Sequence, residues 1–150
     1  MEPFTQNITV RWADLDPNGH VRHSVYYDYG AQARVALLEN SGLGMRWMAK
    51  NLVGPVLFRE QAKFLRELHM SEEITIDFRV AGLSEDGRKW RIAHNIRRGD
   101  ELCAVLDMDG AWLDLKARRI VVPPDELRLA FEKLPHTDDF EIIPSSKTKG

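Results

Sequence analysis

The chain has 150 residues, with 21 cationic and 23 anionic side chains in near balance and 43% hydrophobic residues. That length suits one domain able to bury a core without disulfides or metal to hold it together. A formal net charge of −2 without a long basic run excludes a nucleic-acid backbone as the natural partner.

The single Cys103 excludes an intramolecular disulfide and fits a reducing compartment. It lies in the apolar run LCAVL and reads as a buried structural thiol. No stretch is apolar enough for long enough to cross a bilayer, and MEPFTQNITV lacks the basic and apolar regions of a secretory signal. A cytoplasmic location and no membrane partner are the expectations.

In chain order, residues 6–12 (QNITVRW) mix β-branched and aromatic side chains and predict a first strand. The Asp-Pro and Asn-Gly steps between Asp14 and Gly19 predict a turn-rich connection. Ser24 is then a plausible N-cap for a helix reaching about Asn40, with Tyr26, Gly30, Ala33 and Leu37 on one face. Small residues in that stripe would let the helix lie close to a sheet. Ser41-Gly42 supplies the stop, and residues 41–54 read as a loop.

From there the period changes to two. Residues 56–64 alternate, Val56, Phe58, Ala62 and Phe64 against Leu57, Arg59, Gln61 and Lys63; Glu60 interrupts the apolar face, as an ion pair or as a polar group lining a cavity. Three further alternating runs follow at 74–80, 90–96 and 102–108, joined by the tight turns SEDG and RGD. They predict an antiparallel meander with one face buried. The apolar set shifts to Ala111, Leu113 and Leu115 after Gly110, which predicts a β-bulge there. Pro123-Pro124-Asp125 opens a short helix carrying Leu127, Phe131 and Leu134. Residues 136–150 read as a flexible, solvated tail, leaving 1–135 as the domain. The sum is an α+β fold, one long helix covered by one curved antiparallel sheet.

The chemistry concentrates in DLDPNGHVRHSVY, Asp14 to Tyr26. Its first half imitates a calcium loop, but the twelfth position is Val25 where a bidentate Glu belongs. Asp14, Asp16, His20 and His23 are ligand types for a transition metal, yet their spacing matches no specific zinc pattern. No metal and no cofactor are therefore expected. A third reading uses the helix itself. Its first N–H groups can hold an oxyanion, and a carboxylate beside them can attack a carbonyl or activate water. Acyl transfer needs that pair of functions.

The run V-R-W-x-D-x-D-x-x-G-H-V-x-x-S-x-Y (Val10 to Tyr26) resembles 4-hydroxybenzoyl-CoA thioesterase and related acyl-CoA thioesterases of the hotdog-fold superfamily. The order of elements extends the likeness over about residues 5–134. The resemblance implies a long central helix wrapped by an antiparallel sheet, a homodimer or homotetramer, and hydrolysis of acyl thioesters of coenzyme A, or in some members of acyl carrier protein. It places the essential carboxylate on Asp16. His23 falls where some members carry His or Tyr, its N–H meeting the thioester carbonyl. Gly19 takes the turn glycine and Tyr26 the recurrent helix aromatic, with His20 beside them as a further substrate contact. Each also has a plainer role: Asp16 as a turn or capping carboxylate, His23 as a surface residue, Tyr26 as core packing. Asp14 reads as a turn and strand-end residue. A branch with a catalytic Glu on the central helix does not fit, since this helix offers only Asp28 and Glu39. The rival class is a non-catalytic acyl or carrier-protein binding module of the same fold. No spacing singles out the cations that would meet the phosphates of CoA.

Overall fold

The computed structural model describes residues 3–144 of the chain. Strand β1 (Thr5–Thr9) leads through a 3-10 turn (Trp12–Asp14) to the long helix α1 (His23–Asn40). The segment expected as a loop contains a helix, α2 (Met45–Asn51), before β2 (Val53–Phe64). Seven residues are too few to display a helical period, and only Met48 of α2 is buried. The meander follows as β3 (Glu73–Asp77), β4 (Arg79–Ser84), β5 (Lys89–Arg98) and β6 (Glu101–Asp114). A two-residue β7 (Arg119–Ile120), helix α3 (Asp125–Glu132) and strand β8 (His136–Ile143) complete the described chain.

The strands form one sheet. β2 pairs with β6, β6 with β5, and β5 with both β3 and β4, all antiparallel. β3 and β4 are halves of one bent strand that breaks at Phe78, a ring buried in the core. β1 borders β3, and β8 runs parallel beside β4. This is the expected α+β architecture, a curled antiparallel sheet around one long helix. The tail needs correcting: His136–Ile143 is ordered as β8 by backbone pairing with the edge of β4, although HTDDFEII has too few apolar residues to announce a strand. The rest of the expected tail, residues 145–150, lies outside the described residues.

α1 buries Val25, Tyr26, Tyr29, Gly30, Ala33 and Leu37, the stripe its spacing predicts. A side chain at Gly30 would meet the Leu106 side chain at 2.6 Å and the His94 ring at 3.2 Å, so glycine is what allows the close approach of helix to sheet. The predicted bulge exists, but on the other strand. From Ala104 to Trp112 β6 keeps one phase, with Ala104, Leu106, Met108 and Trp112 all buried. The extra residue is Phe58 of β2: Leu57 opposes Gly110 and Arg59 opposes Asp109. Gly110 fits because a side chain there would collide with the Trp90 indole and the Val56 carbonyl. Cross-strand partners share a face, so Leu57 points inward before the bulge and Glu60, Ala62 and Phe64 after it. None of the described helices is long and apolar enough to cross a membrane.

Candidate active site

Backbone geometry builds the turn that carries Asp16. Leu15 and Val21 form an antiparallel bridge, and the Asp16 N–H donates to the His20 carbonyl at 2.7 Å. Gly19 closes the loop at φ +81°, a left-handed conformation that glycine enters without a Cβ penalty. The Asp16 carboxylate is fixed on one side only. Its Oδ1 accepts from the N–H groups of Asn18 (2.9 Å) and His20 (3.2 Å), while Oδ2 has no hydrogen-bond partner among the described residues.

Asp14 is a different kind of carboxylate. It is 1% exposed, with Oδ1 bonded to Arg11 Nη2 at 2.7 Å and Oδ2 accepting from the Arg11 N–H (3.1 Å) and the Tyr29 hydroxyl (2.8 Å). Burial alone would push its carboxyl up, but the Arg11 and Tyr29 hydrogen bonds outweigh that and hold it below the usual carboxylate range. Asp14 thus pins the 3-10 turn to α1 and borders a different cavity from Asp16. The four candidate metal ligands of the motif do not converge.

α1 begins at His23, one residue before the predicted cap. Arg22 stands at the cap position, and no side chain caps the helix. The Arg22 guanidinium goes instead to the carbonyls of Ala13 (3.0 Å) and Leu15 (3.4 Å). The Val25 N–H already donates to the Arg22 carbonyl at 2.9 Å, while the N–H groups of His23 and Ser24 have no partner among the described residues and sit at the positive end of the helix dipole.

Asp16, His20, His23 and Tyr26 line one open cavity of about 390 Å³. Gly19 is not on its wall and acts through the turn. Tyr26 is both core and wall: it is 4% exposed, and its ring meets Phe64 edge to face at 5.0 Å. Burial pushes its hydroxyl up, so the phenol stays protonated. The opposite wall, Phe64 to Glu67, comes from the end of β2 and the loop after it. Local spacing carries no sign of that pairing, since residues 16–26 and 64–67 meet only in the fold. Glu67 Oε2 lies 2.7 Å from His20 Nε2. Cys103 is fully buried, and burial pushes its thiol up, which rules it out as a nucleophile here.

A second cavity of about 310 Å³ lies further along α1, walled by Arg34, Val35 and Leu38 of the helix and by Leu57, Trp90 and Trp112. Glu60 resolves as an ion-pair partner: its Oε2 is 3.5 Å from Arg34 Nη2. Arg34 Nη1 lies 3.2 Å from His94 Nε2, and His94 Nδ1 lies 2.6 Å from the Asp77 carbonyl. A carbonyl can only accept, so Nδ1 carries the proton and Nε2 accepts from Arg34.

Residues 10–131 match the thioesterase-like superfamily. The chain belongs to that superfamily. Its hotdog fold recurs in solved structures that cover most of both chains. The 1,4-dihydroxy-2-naphthoyl-CoA thioesterase of Synechocystis superposes with a TM-score of 0.78 at 16% identity, covering 91% of this chain and 100% of its own. A hypothetical protein of Thermus thermophilus gives 0.79 at 26% identity, over 89% and 99%. A Staphylococcus aureus protein solved in complex with CoA gives 0.80 at 16% identity, over 91% and 88%. The span that matches the thioesterase-like superfamily contains the whole of Asp14 to Tyr26.

Proposed function

We propose that this protein hydrolyses the thioester of an acyl- or aryl-CoA to the free acid and CoA, with Asp16 as nucleophile or general base. The observation that carries this reading is the half-tethered Asp16 carboxylate, held by two backbone N–H groups through one oxygen, at a cavity bordered by an uncapped helix N-terminus. Attack on the thioester carbonyl places negative charge on its oxygen, and the first-turn N–H groups at His23 stabilise that charge. The CoA thiolate then departs, and water completes the hydrolysis, as the attacking group when Asp16 is the base or by cleaving the acyl–Asp16 anhydride when Asp16 is the nucleophile. His23, exposed at the cavity, orients the water or the thioester; His20, Tyr26 and the Gly19 turn frame the substrate. The Staphylococcus aureus complex supports a CoA ester as the substrate class. Thiol release from a panel of acyl-CoAs tests the reading. Tight binding of acyl-CoA or acyl carrier protein with no release would select the binding module instead.

The carboxylate and the backbone donors together supply attack and charge stabilisation, so the reaction needs no ion. Thiol release should survive exhaustive EDTA treatment. Activity lost to the chelator and restored by zinc would refute this.

The active species is a homodimer or higher homo-oligomer. Among the described residues β2 pairs only with β6, which leaves its other edge free, and it carries the exposed Leu57, Phe58 and Phe64. A long apolar edge strand seeks cover, and a second copy supplies it symmetrically. Light scattering at micromolar concentration should give at least twice the chain mass; a stable, active monomer would contradict it.

A further inference from the structure

His69 lies beside His20 and Glu67 of the cavity wall and takes no part in the proposed chemistry. It faces His20 across an isolated antiparallel bridge, the two rings edge to face with centroids 5.0 Å apart. Glu67 reaches both: its Oε2 is 2.7 Å from His20 Nε2 and 4.0 Å from His69 Nε2. One ligand atom from each of the three lies within 4.8 Å of the others. Ligands at 2.0–2.1 Å from a tetrahedral zinc stand about 3.4 Å apart, so small side-chain rotations close this set around one ion. His69 also has the support a ligand needs. Its Nδ1 is 3.6 Å from Glu72 Oε1, which Arg98 Nη1 holds at 2.8 Å. A carboxylate there favours the Nδ1–H tautomer and leaves Nε2 free to coordinate. Glu67 and His69 are exposed and His20 nearly so, which admits both the ion and a completing water.

We infer that His20, Glu67 and His69 bind a divalent ion of the zinc type and that its occupancy slows turnover at Asp16. Two imidazoles and one carboxylate suit zinc, nickel or cobalt better than calcium or magnesium. The ion takes the place of hydrogen between His20 Nε2 and Glu67, with the His20 ring carrying its proton on Nδ1. The effect on turnover rests on the proposed hydrolysis. The His20 backbone bonds both the Asp16 amide and its carboxylate, so an ion on the His20 ring ties the Asp16 turn to the loop of Glu67 and His69. It also sets positive charge beside the carboxylate that must attack.

Calorimetric titration of tag-free protein with zinc chloride should show one ion per chain at micromolar concentration. His69→Ala and Glu67→Gln, with wild-type circular dichroism, should weaken that binding at least tenfold. Millimolar binding by the wild type, or undiminished binding by both variants, would overturn the site. Initial rates, with released CoA kept far below the zinc concentration, read the consequence. Zinc should slow the wild type, while His69→Ala keeps the basal rate and ignores zinc. Wild-type rates unchanged by bound zinc would overturn the regulatory role. A chain that binds zinc but hydrolyses no acyl-CoA refutes the reaction and the regulation together, and leaves the metal site standing.

Discussion

Replacing Asp16 with Asn should lower turnover by roughly 100-fold or more, the scale of positioned general-base or nucleophilic assistance, while acyl-CoA binding persists. Asn preserves the shape of the side chain, and its carbonyl oxygen can still accept from the Asn18 and His20 N–H groups that fix the turn. What disappears is the negative charge of the other oxygen. His23→Ala should cost less, because the backbone N–H at the helix start survives the substitution. Steady-state kinetics with a matched binding measurement separates the cases. Near-normal kcat in Asp16→Asn, or loss of the fold, would make the carboxylate structural and the assignment wrong.

Acid should destabilise the fold in two stages, the first through His94. That ring is fully buried; burial, with the nearby Arg34 and Arg79 guanidinium groups, pushes it down to about 3 against the opposing hydrogen bond to the Asp77 carbonyl. The unfolded chain has an ordinary imidazole near 6.5. Between these values the unfolded state binds the extra proton, so stability falls as pH drops below the unfolded value. One such group changes stability by at most about 1.4 kcal/mol per pH unit, or roughly 2–3 kcal/mol between pH 7.5 and 4.5. Asp14 acts later and with the same proton logic: its folded value is also depressed, so its contribution is intact above the ordinary carboxylate range and is lost as pH falls through the folded value. Urea unfolding of wild type and His94→Gln at each pH tests the first stage. The variant is weaker at neutral pH, but its stability should lose that extra slope between pH 6.5 and 4.5. Parallel curves for the two proteins would clear His94 of the role.

Much of this architecture is written in periodicity. The stripe Tyr26, Gly30, Ala33, Leu37 and the alternation of residues 74–108 each follow from burying one face, and the fold buries those faces. What escaped is what periodicity does not encode. β8 is ordered by pairing its backbone, which HTDDFEII cannot advertise through side chains. α2 is shorter than two full helical repeats. Gly110 is the visible irregularity and predicts a bulge in β6, whereas the glycine accommodates an extra residue on the partner strand. At the candidate site the motif pointed to the near wall, Asp16 to Tyr26. Phe64 to Glu67 could not be read, because their approach to it depends on where β2 ends. Asp14 and Asp16 look alike as letters and differ only through Arg11 and Tyr29, the second of which reaches back from α1.

The extra residue in β2 makes that strand two ladders joined out of step. Odd positions through Leu57 and even positions from Glu60 onward meet the helix, so the second cavity and the Arg34–Glu60 pair both depend on Phe58 standing outside the ladder. The bulge thus restores the parity that the extra residue would otherwise break. Deleting Phe58 would leave Leu57 and Glu60 on the same face of a regular ladder, whereas drawing Phe58 into the ladder would turn one half of the strand over, exchanging Leu57 for Val56 or Glu60 for Arg59 against the helix. Homologous chains that keep both the apolar wall and the Arg34–Glu60 ion pair must therefore either retain the bulge or lose its one residue.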